Sequence, residues 1–385
     1  MARGSVIKRG DAWRICVELP PDPISGERRQ KWETVHGLKK DAEKRLTELL
    51  ALADQGRLGA DPKMTVGQFQ ERWLADYASG KSPKTFLWYQ QLMRDRVCPH
   101  IGGVKLDKLT PIHIARLQTT LREADRLDGK PGKLSVNTVR HVHRVLHAAL
   151  AQAVKWELIP RNPADGVDAP SVPRKEMRTF SLEQAHRFMG CAAGQGVKWE
   201  AFFYVFLTGG LRTGELIGLR WEDVSIEAGA VSIRQNIQRV AGIGLVVKGP
   251  KSAAGRRSVA LGSDVMALLR KHRAEQNVTR LQMGPLWEDN DLVFPNEMGN
   301  PLSEKTIHNV FTRICRAADV PRIRPYDLRH CCATFLLAAG VHPKVVAERL
   351  GHSNINLTLT TYSHVLPTMQ KDAAETLDRL LRKVP

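Results

Sequence analysis

Near the start of the chain Trp13, Ile15, Val17 and Leu19 alternate with Arg14, Cys16 and Glu18, the period of a strand with one face buried. Pro20-Pro21-Asp22-Pro23-Ile24-Ser25-Gly26 has the residues that reverse a chain, so Arg29 to Val35 can return as a partner strand. Residues 41–55 predict a helix, with Asp41 as N-cap, Leu46, Leu49, Leu50 and Ala53 on one face, and Gly56 at its end. From Met64 to about Asp168 the pattern is helical throughout, with Thr65, Ser82 and Ser135 as caps. In the last of these helices Val139, Val142, Leu146, Leu150 and Ala153 form an apolar stripe, while Arg140, His143, Arg144 and His147 fall on another face. Residues 160–175, with four prolines, read as a linker. Beyond them the pattern gives a helix from Leu182, an apolar helix at Ala201 to Leu207, and strands around 231–237, 243–248 and 256–261. Helices resume at 264.

This pattern predicts a multidomain, mainly α protein with small β-sheets: residues 1–62 as a sheet plus one helix, 63–168 as a helical module, and 169–385 as a mixed α/β domain. The length agrees, since 385 residues exceed what one hydrophobic core usually supports. The stretch Ala201 to Leu207 is far shorter than the ~20 residues a membrane helix needs, so it belongs in a core.

Charge narrows the partner. The 58 Lys and Arg against 40 Asp and Glu leave a net +18, which favours a polyanion: nucleic acid, with an anionic membrane surface as the rival. Basic residues outnumber acidic ones 13 to 10 over residues 1–63, 16 to 10 over 64–173 and 29 to 20 over 174–385. An excess spread over every segment suits a long polyanion passing several domains better than one polybasic anchor. Arg14, Arg28 and Lys31 on the outward face of the first sheet, and Arg140 and Arg144 on the last helix of the second module, are candidate DNA contacts. The six cysteines form no CxxC, and no apolar signal core follows the basic N-terminal residues, as expected of a reduced, intracellular, cytoplasmic protein. His143 and His147 have the i, i+4 spacing of a metal pair but no acidic or cysteine companion nearby in sequence, so no metal is expected.

Common catalytic devices are missing: there is no GxSxG, no HExxH and no metal-nuclease acidic cluster. The nearest approach to a phosphate loop, Gly244-Leu245-Val246-Val247-Lys248-Gly249, is followed by Pro250 where that motif needs Lys, so ATP use is not expected. What remains are cationic and hydroxyl residues at helix edges: Thr208-Gly209-Gly210-Leu211-Arg212-Thr213-Gly214-Glu215-Leu216, Arg324-Pro325-Tyr326-Asp327-Leu328-Arg329-His330, Leu350-Gly351-His352 and Thr360-Thr361-Tyr362-Ser363-His364. In this order the phrases TGGLRTGEL, RPYDLRH, RLGHSN and TTYSHV closely resemble the signature boxes of tyrosine recombinases, especially integrases of phages and integrative elements.

The resemblance implies a three-stranded sheet plus helix that binds arm-type DNA, a helical core-binding domain, and a mixed α/β catalytic domain with a C-terminal tail. It implies Arg212 and Arg329 as the two catalytic arginines, Glu215 as a supporting carboxylate, Lys251 as the β-hairpin lysine, His352 as the late histidine and Tyr362 as the nucleophile. One position departs from the family's His-x-x-Arg box: Tyr326 stands three residues before Arg329. With an ordinary pKa near ~10 a phenol is a poorer proton acceptor than imidazole, which leaves the general base open; neither His330 nor His364 is assigned to it. The implied function is site-specific recombination through a 3′-phosphotyrosyl intermediate, integrating or excising a mobile element. No cofactor is expected. The implied partners are double-stranded core and arm DNA, a homotetramer on that DNA, a host DNA-bending protein and a directionality factor, with no membrane. The tail residues Met369, Ala373, Leu377 and Leu381 have near-helical spacing and dock either on a neighbouring subunit or on their own domain. The alternatives are a non-cleaving architectural protein on the same scaffold, which Tyr326 alone favours, and a type IB-like topoisomerase.

Overall fold

The structure, a computed structural model, describes residues 3–19, 21, 28–54, 64–173, 177–250, 255–362, 374–375 and 377–381. The chain divides into two compact units, Met1–Arg174 and Lys175–Pro385.

In the first unit, β1 (Gly4–Arg9), β2 (Ala12–Leu19) and β3 (Arg29–His36) form an antiparallel sheet in the order β1-β2-β3. The segment before Trp13 thus supplies the strand that hydrophobic alternation did not locate. Ile15 and Val17 face α1 (Lys39–Asp54) and pack on its Ala42, Leu49 and Ala53. Asp41 is not the N-cap of α1; it lies inside the first turn, where its Oδ2 accepts the Leu38 N–H at 3.0 Å. Gly56 lies outside the described residues. On the open face Arg14 stacks its guanidinium 4.5 Å from the centre of the Trp32 ring. Lys31 does not share that face: it sits directly opposite Val17 in the β2–β3 register, and partners in an antiparallel pair point the same way. Arg28, just before β3, is exposed.

The helices of this unit are α2 (Val66–Asp76), α3 (Pro83–Leu92), which runs through a π turn into α4 (Cys98–Ile101), α5 (Pro111–Glu123) and α6 (Val136–Lys155). Thr65, Ser82 and Ser135 cap α2, α3 and α6 through their hydroxyls, satisfying N–H groups that the first helical turn leaves open. Val139, Val142, Leu146, Leu150 and Ala153 of α6 are all buried, packed with Trp73, Phe69 and Leu117. His143 departs from its assigned polar face, being buried and bonded through Nδ1 to the Gln118 amide at 2.9 Å. The predicted linker begins within this unit: Ala164 belongs to its core, and Asn162 caps a short 3-10 turn over Pro163–Gly166.

The second unit is built on α7 (Leu182–Ala193) and α8 (Val197–Gly209), whose Phe188, Phe202, Phe203 and Phe206 pack with Phe180, Phe294 and Phe311. After α9 (Thr213–Ile217) come β4 (Val224–Ser225), β5 (Ala230–Ile233), β6 (Asn236–Val240), β7 (Gly244–Lys248) and β8 (Arg257–Ala260). The strand expected over 231–237 is two strands in two sheets: β5 pairs with β4 and β8, whereas β6 pairs with β7 as a two-stranded hairpin. Val231, Ile233 and Ile237 keep a two-residue spacing interrupted only at Gln235, so the alternation did not mark the break. Helices α10 (Ser263–Met283), α11 (Glu304–Ala317), α12 (Asp327–Ala338), α13 (Pro343–Leu350) and α14 (Ile355–Thr361) complete the unit.

Two left-handed glycines end the helices that meet at the site. Gly351, at φ 65°, closes α13, and Gly210, at φ 61°, closes α8. A Cβ on Gly210 would stand 2.8 Å from Leu350 Cδ2 and 3.2 Å from Cys332 Sγ. Left-handed strain and overpacking together predict that Gly210→Ala destabilises the protein by about 2–4 kcal/mol. A lowered denaturation midpoint at unchanged m-value would show it.

Candidate active site

The cationic end of the second unit is organised by one carboxylate. Arg212 stands in extended conformation immediately before α9, and Glu215 one turn on folds back to accept the Arg212 backbone N–H at 2.9 Å and its Nη1 at 2.7 Å. Arg257, from β8, approaches Glu215 from the other side, its Nη2 donating to Oε2 at 2.9 Å. Only 3% of Glu215 is exposed. Burial pushes its pKa up, but the Arg257 guanidinium and the Arg212 donors outweigh it, and the group stays below the ordinary carboxylate value.

Arg212 and Arg329 lie side by side because they hold neighbouring carbonyls. Arg212 Nη2 donates to the Gly351 carbonyl at 3.1 Å. Arg329, from the first turn of α12 and only 1% exposed, donates Nη2 to the Leu350 carbonyl and Nη1 to the Gly210 carbonyl, each at 2.5 Å. These carbonyls belong to the helix ends that the two left-handed glycines terminate, where they have no intrahelical donor. Burial, reinforced by Arg212, lowers the Arg329 pKa to about 10, so it remains a cation at neutral pH.

His352 follows Gly351 directly, and its Nδ1 is 2.7 Å from the Thr358 hydroxyl in α14. Burial, with the fields of Arg329 and Arg212, lowers its pKa to about 4. It is therefore a neutral ring. If Thr358 donates to Nδ1, the ring proton sits on Nε2 and remains available to an acceptor.

Tyr362, at the end of α14, is 1% exposed and packs on Ala333, Leu337, Val346 and Leu350. Its hydroxyl is hydrogen bonded to Nδ1 of His330, the residue after Arg329, at 2.7 Å. Burial raises the phenol pKa and the Arg329 charge only partly opposes it. Tyr326 is partly exposed and meets the His330 ring edge-on, with ring centres 5.4 Å apart.

Arg212 is thus paired with Glu215, Arg212 and Arg329 hold the successive Gly351 and Leu350 carbonyls just before His352, and Tyr362 and Tyr326 meet on the ring of His330, the residue after Arg329. Lys251 lies outside the described residues. Sequence reasoning missed Arg257, whose link to Glu215 spans 42 residues and has no local signal, and left His330 unassigned although it stands inside a quoted box. In the first unit Arg144 is exposed, while Arg140 donates to Asn137 at 3.1 Å and keeps a buried Nε without a partner. His147 does have an acidic companion, Asp165, at 2.8 Å, but no group of three metal-ligating side chains occurs among the described residues.

The chain is similar to known proteins in sequence and in fold. Residues 178–369 match the phage integrase family model, and residues 65–122 match the phage integrase N-terminal SAM-like domain. The XerC-like tyrosine recombinase of Caldanaerobacter subterraneus subsp. tengcongensis is 28% identical, over 97% of this chain and 98% of its own. The ICEBs1 integrase of Bacillus subtilis is 23% identical over 96% and 97%. In fold, the chain is similar to the Tn1549 transposon integrase in complex with a circular intermediate DNA, with a TM-score of 0.66 at 22% identity over 82% of this chain and 99% of that one. It is also similar to lambda integrase in the tetramer bound to a Holliday junction, with a TM-score of 0.55 at 16% identity over 91% and 95%.

Two helix-rich units, small antiparallel sheets and matches to both integrase models define a tyrosine recombinase, a DNA strand transferase. The chain belongs to the phage integrase family and is a site-specific DNA recombinase.

Proposed function

We propose that this recombinase integrates or excises a mobile element, with Tyr362 as nucleophile and Arg212, Arg329 and His352 as the donors that hold the scissile phosphate. The observation that carries the reading is the pair of guanidinium groups fixed on the Gly210, Leu350 and Gly351 carbonyls, with His352 next in the chain. Attack adds negative charge to phosphoryl oxygens, and donors already held in place stabilise it without reorganising. An arginine suits this because it stays ionised and offers parallel N–H groups.

The Tyr362 oxygen forms the new bond to phosphorus, the bond to the 5′ oxygen breaks, and the leaving oxygen takes a proton from Lys251. The 3′-phosphotyrosyl bond retains the linkage energy, so the 5′ hydroxyl of another strand can attack it without ATP. Tyr326 donates to a phosphate oxygen in place of the family's histidine.

The wider reading assigns residues 1–62 to arm-type sites, 63–168 to the core site and 169–385 to catalysis. Arg14, Arg28, Arg140 and Arg144 face DNA; Lys31, on the helix side of its sheet, has the weakest case. The active species is a homotetramer on two duplexes, a reading supported by the lambda integrase tetramer bound to a Holliday junction, and direction is set by a DNA-bending protein and a directionality factor. Leu377 and Leu381, both exposed, suit docking on a neighbouring subunit, while Met369 and Ala373 lie outside the described residues.

The test is a nicked duplex carrying the element's core site, from which the short 3′ product diffuses away after cleavage. Wild-type protein is expected to accumulate on the DNA as a denaturant-resistant adduct, with the phosphorylated peptide containing Tyr362. An adduct through another residue, or none on a site that the protein binds and recombines, would overturn the assignment.

A further inference from the structure

We infer that His330 is the proton acceptor for Tyr362, filling the position left vacant by the tyrosine at the first place of the Tyr326-x-x-Arg329 box. The inference rests on Tyr362 being the nucleophile. The first observation is geometric: the reacting hydroxyl and His330 Nδ1 are 2.7 Å apart, and no other side-chain hydrogen bond to that hydroxyl occurs among the described residues. That is the separation a general base needs from the proton it removes.

A second observation is how the ring is held. His330 lies between two phenols, Tyr326 meeting it at 5.4 Å and 77° between planes, and Tyr362 at 5.9 Å and 53°. Tyr326 therefore does more than replace a histidine. From the preceding turn it packs on the ring that touches the nucleophile, and its own hydroxyl is free of the proton-accepting task.

Charge supports the same assignment. The groups around His330 are Asp327, Arg329, Arg324 and Tyr326 from α12 and the segment before it, Tyr362 from the end of α14, and His352 after α13. Burial, with Arg329 and Arg324 against Asp327, holds the ring below its ordinary pKa, so near neutral pH it is uncharged and has a lone pair to offer. With the ring proton on Nε2, the phenol donates to Nδ1.

Tyr362 is at the same time a weaker acid than an ordinary phenol, because burial disfavours its anion. The proton therefore stays on oxygen at rest. It moves as the oxygen–phosphorus bond forms, because the phenol oxygen grows more acidic as it gives up electron density. The step balances: the hydroxyl proton goes to His330 Nδ1, the phenol oxygen bonds phosphorus, and the 5′ oxygen leaves with a proton from the acid proposed above. In the return reaction the His330 proton goes back to the departing phenolate.

The experiment is single-turnover cleavage of the nicked duplex by full-length wild type, His330→Ala, His330→Gln and Tyr362→Phe. Gln keeps an acceptor oxygen for the phenol but takes no proton at neutral pH. Both His330 variants are expected to cleave about 10²–10⁴-fold more slowly at saturating DNA. Added imidazole should restore part of the rate to His330→Ala, and the fall in wild-type rate on acidification should be absent from His330→Gln. DNA binding and thermal unfolding, measured alongside, establish that each variant is folded; should the Ala variant not fold, the Gln variant and its pH profile decide alone. A folded His330→Gln that cleaves at the wild-type rate with the wild-type pH profile overturns the inference, since the ring would then only position the phenol. That failure is separate from failure of the nucleophile assignment, which would appear as an adduct formed by Tyr362→Phe.

Discussion

Tyr362→Phe is expected to form no covalent adduct with a nicked core-site duplex while unfolding close to the wild-type midpoint. The phenyl ring keeps its packing on Ala333, Leu337, Val346 and Leu350, so no cavity opens. The substitution deletes one hydrogen bond, to His330, which changes stability by about 0.5–1.5 kcal/mol at most, because His330 is not wholly buried and water can take the place of the hydroxyl. Chemistry responds on another scale. With Tyr362 as the proposed nucleophile, its removal from a site whose groups act as a unit is expected to cost on the order of 10⁶ in rate, which places the variant below detection. Denaturing gels of trapped DNA read the first quantity and thermal melts the second. A persistent adduct would show that another residue attacks, and a large loss of stability would show that the hydroxyl serves the fold.

The burial of Tyr362 bears on how that result arises. Tyr362 is 1% exposed and its hydroxyl is bonded to a neighbour in the same chain, so on the proposed assignment DNA binding has to uncover it. Arg329 is as buried as Tyr362, but both arginines already hold fixed positions within the chain. Arg212 and Arg329 are fixed by carbonyls that helix termination leaves open, and those carbonyls are present whether or not DNA is bound.

What could be read from the sequence divides along the range of the interactions. Thr65, Ser82 and Ser135 were legible as caps because a cap acts within three residues. The residues of the four boxes were legible because each box carries its own short pattern. Arg257 was not, since its carboxylate partner lies 42 residues away and an Arg in a strand looks like any surface charge. Lys31 was misplaced by strand parity: one residue decides the face, and the turn before β3 gave no means of fixing the register. His143 was misplaced because a buried histidine needs a partner, and Gln118 stands on a different helix. The break between β5 and β6 was hidden because Val231, Ile233 and Ile237 are all buried although their strands belong to different sheets.

Glu215→Gln is expected to lower stability by about 3–5 kcal/mol at pH 7, because removing one partner of a buried ion pair leaves the other charge uncompensated. The stranded cations are Arg257, whose side chain is 7% exposed, and Arg212 at 35%, where water takes over part of the charge. The lower half of the range is therefore expected. An amide also presents an N–H where both carboxylate oxygens now accept, setting a donor against one of the guanidinium groups. For a unit of this size each kcal/mol moves the melting temperature by roughly 2–4 °C, so the drop should be on the order of 10 °C. The sign of the pH dependence follows from the pKa of Glu215, which is lower in the folded protein than the 4.5 of an unperturbed glutamate. A depressed carboxylate pKa stabilises the fold above the unfolded value, and the contribution is lost as pH falls through the folded one. The gap between wild type and Glu215→Gln should therefore be full at neutral pH and narrow below about 4.5. Denaturant melts of both proteins at pH 7 and near pH 4 measure it, and a gap unchanged with pH would remove the charge from the explanation. On the role proposed for Arg212, recombination should fall too, by about 10²-fold, as Arg212 loses the partner that aims it and small displacements of a catalytic group are costly.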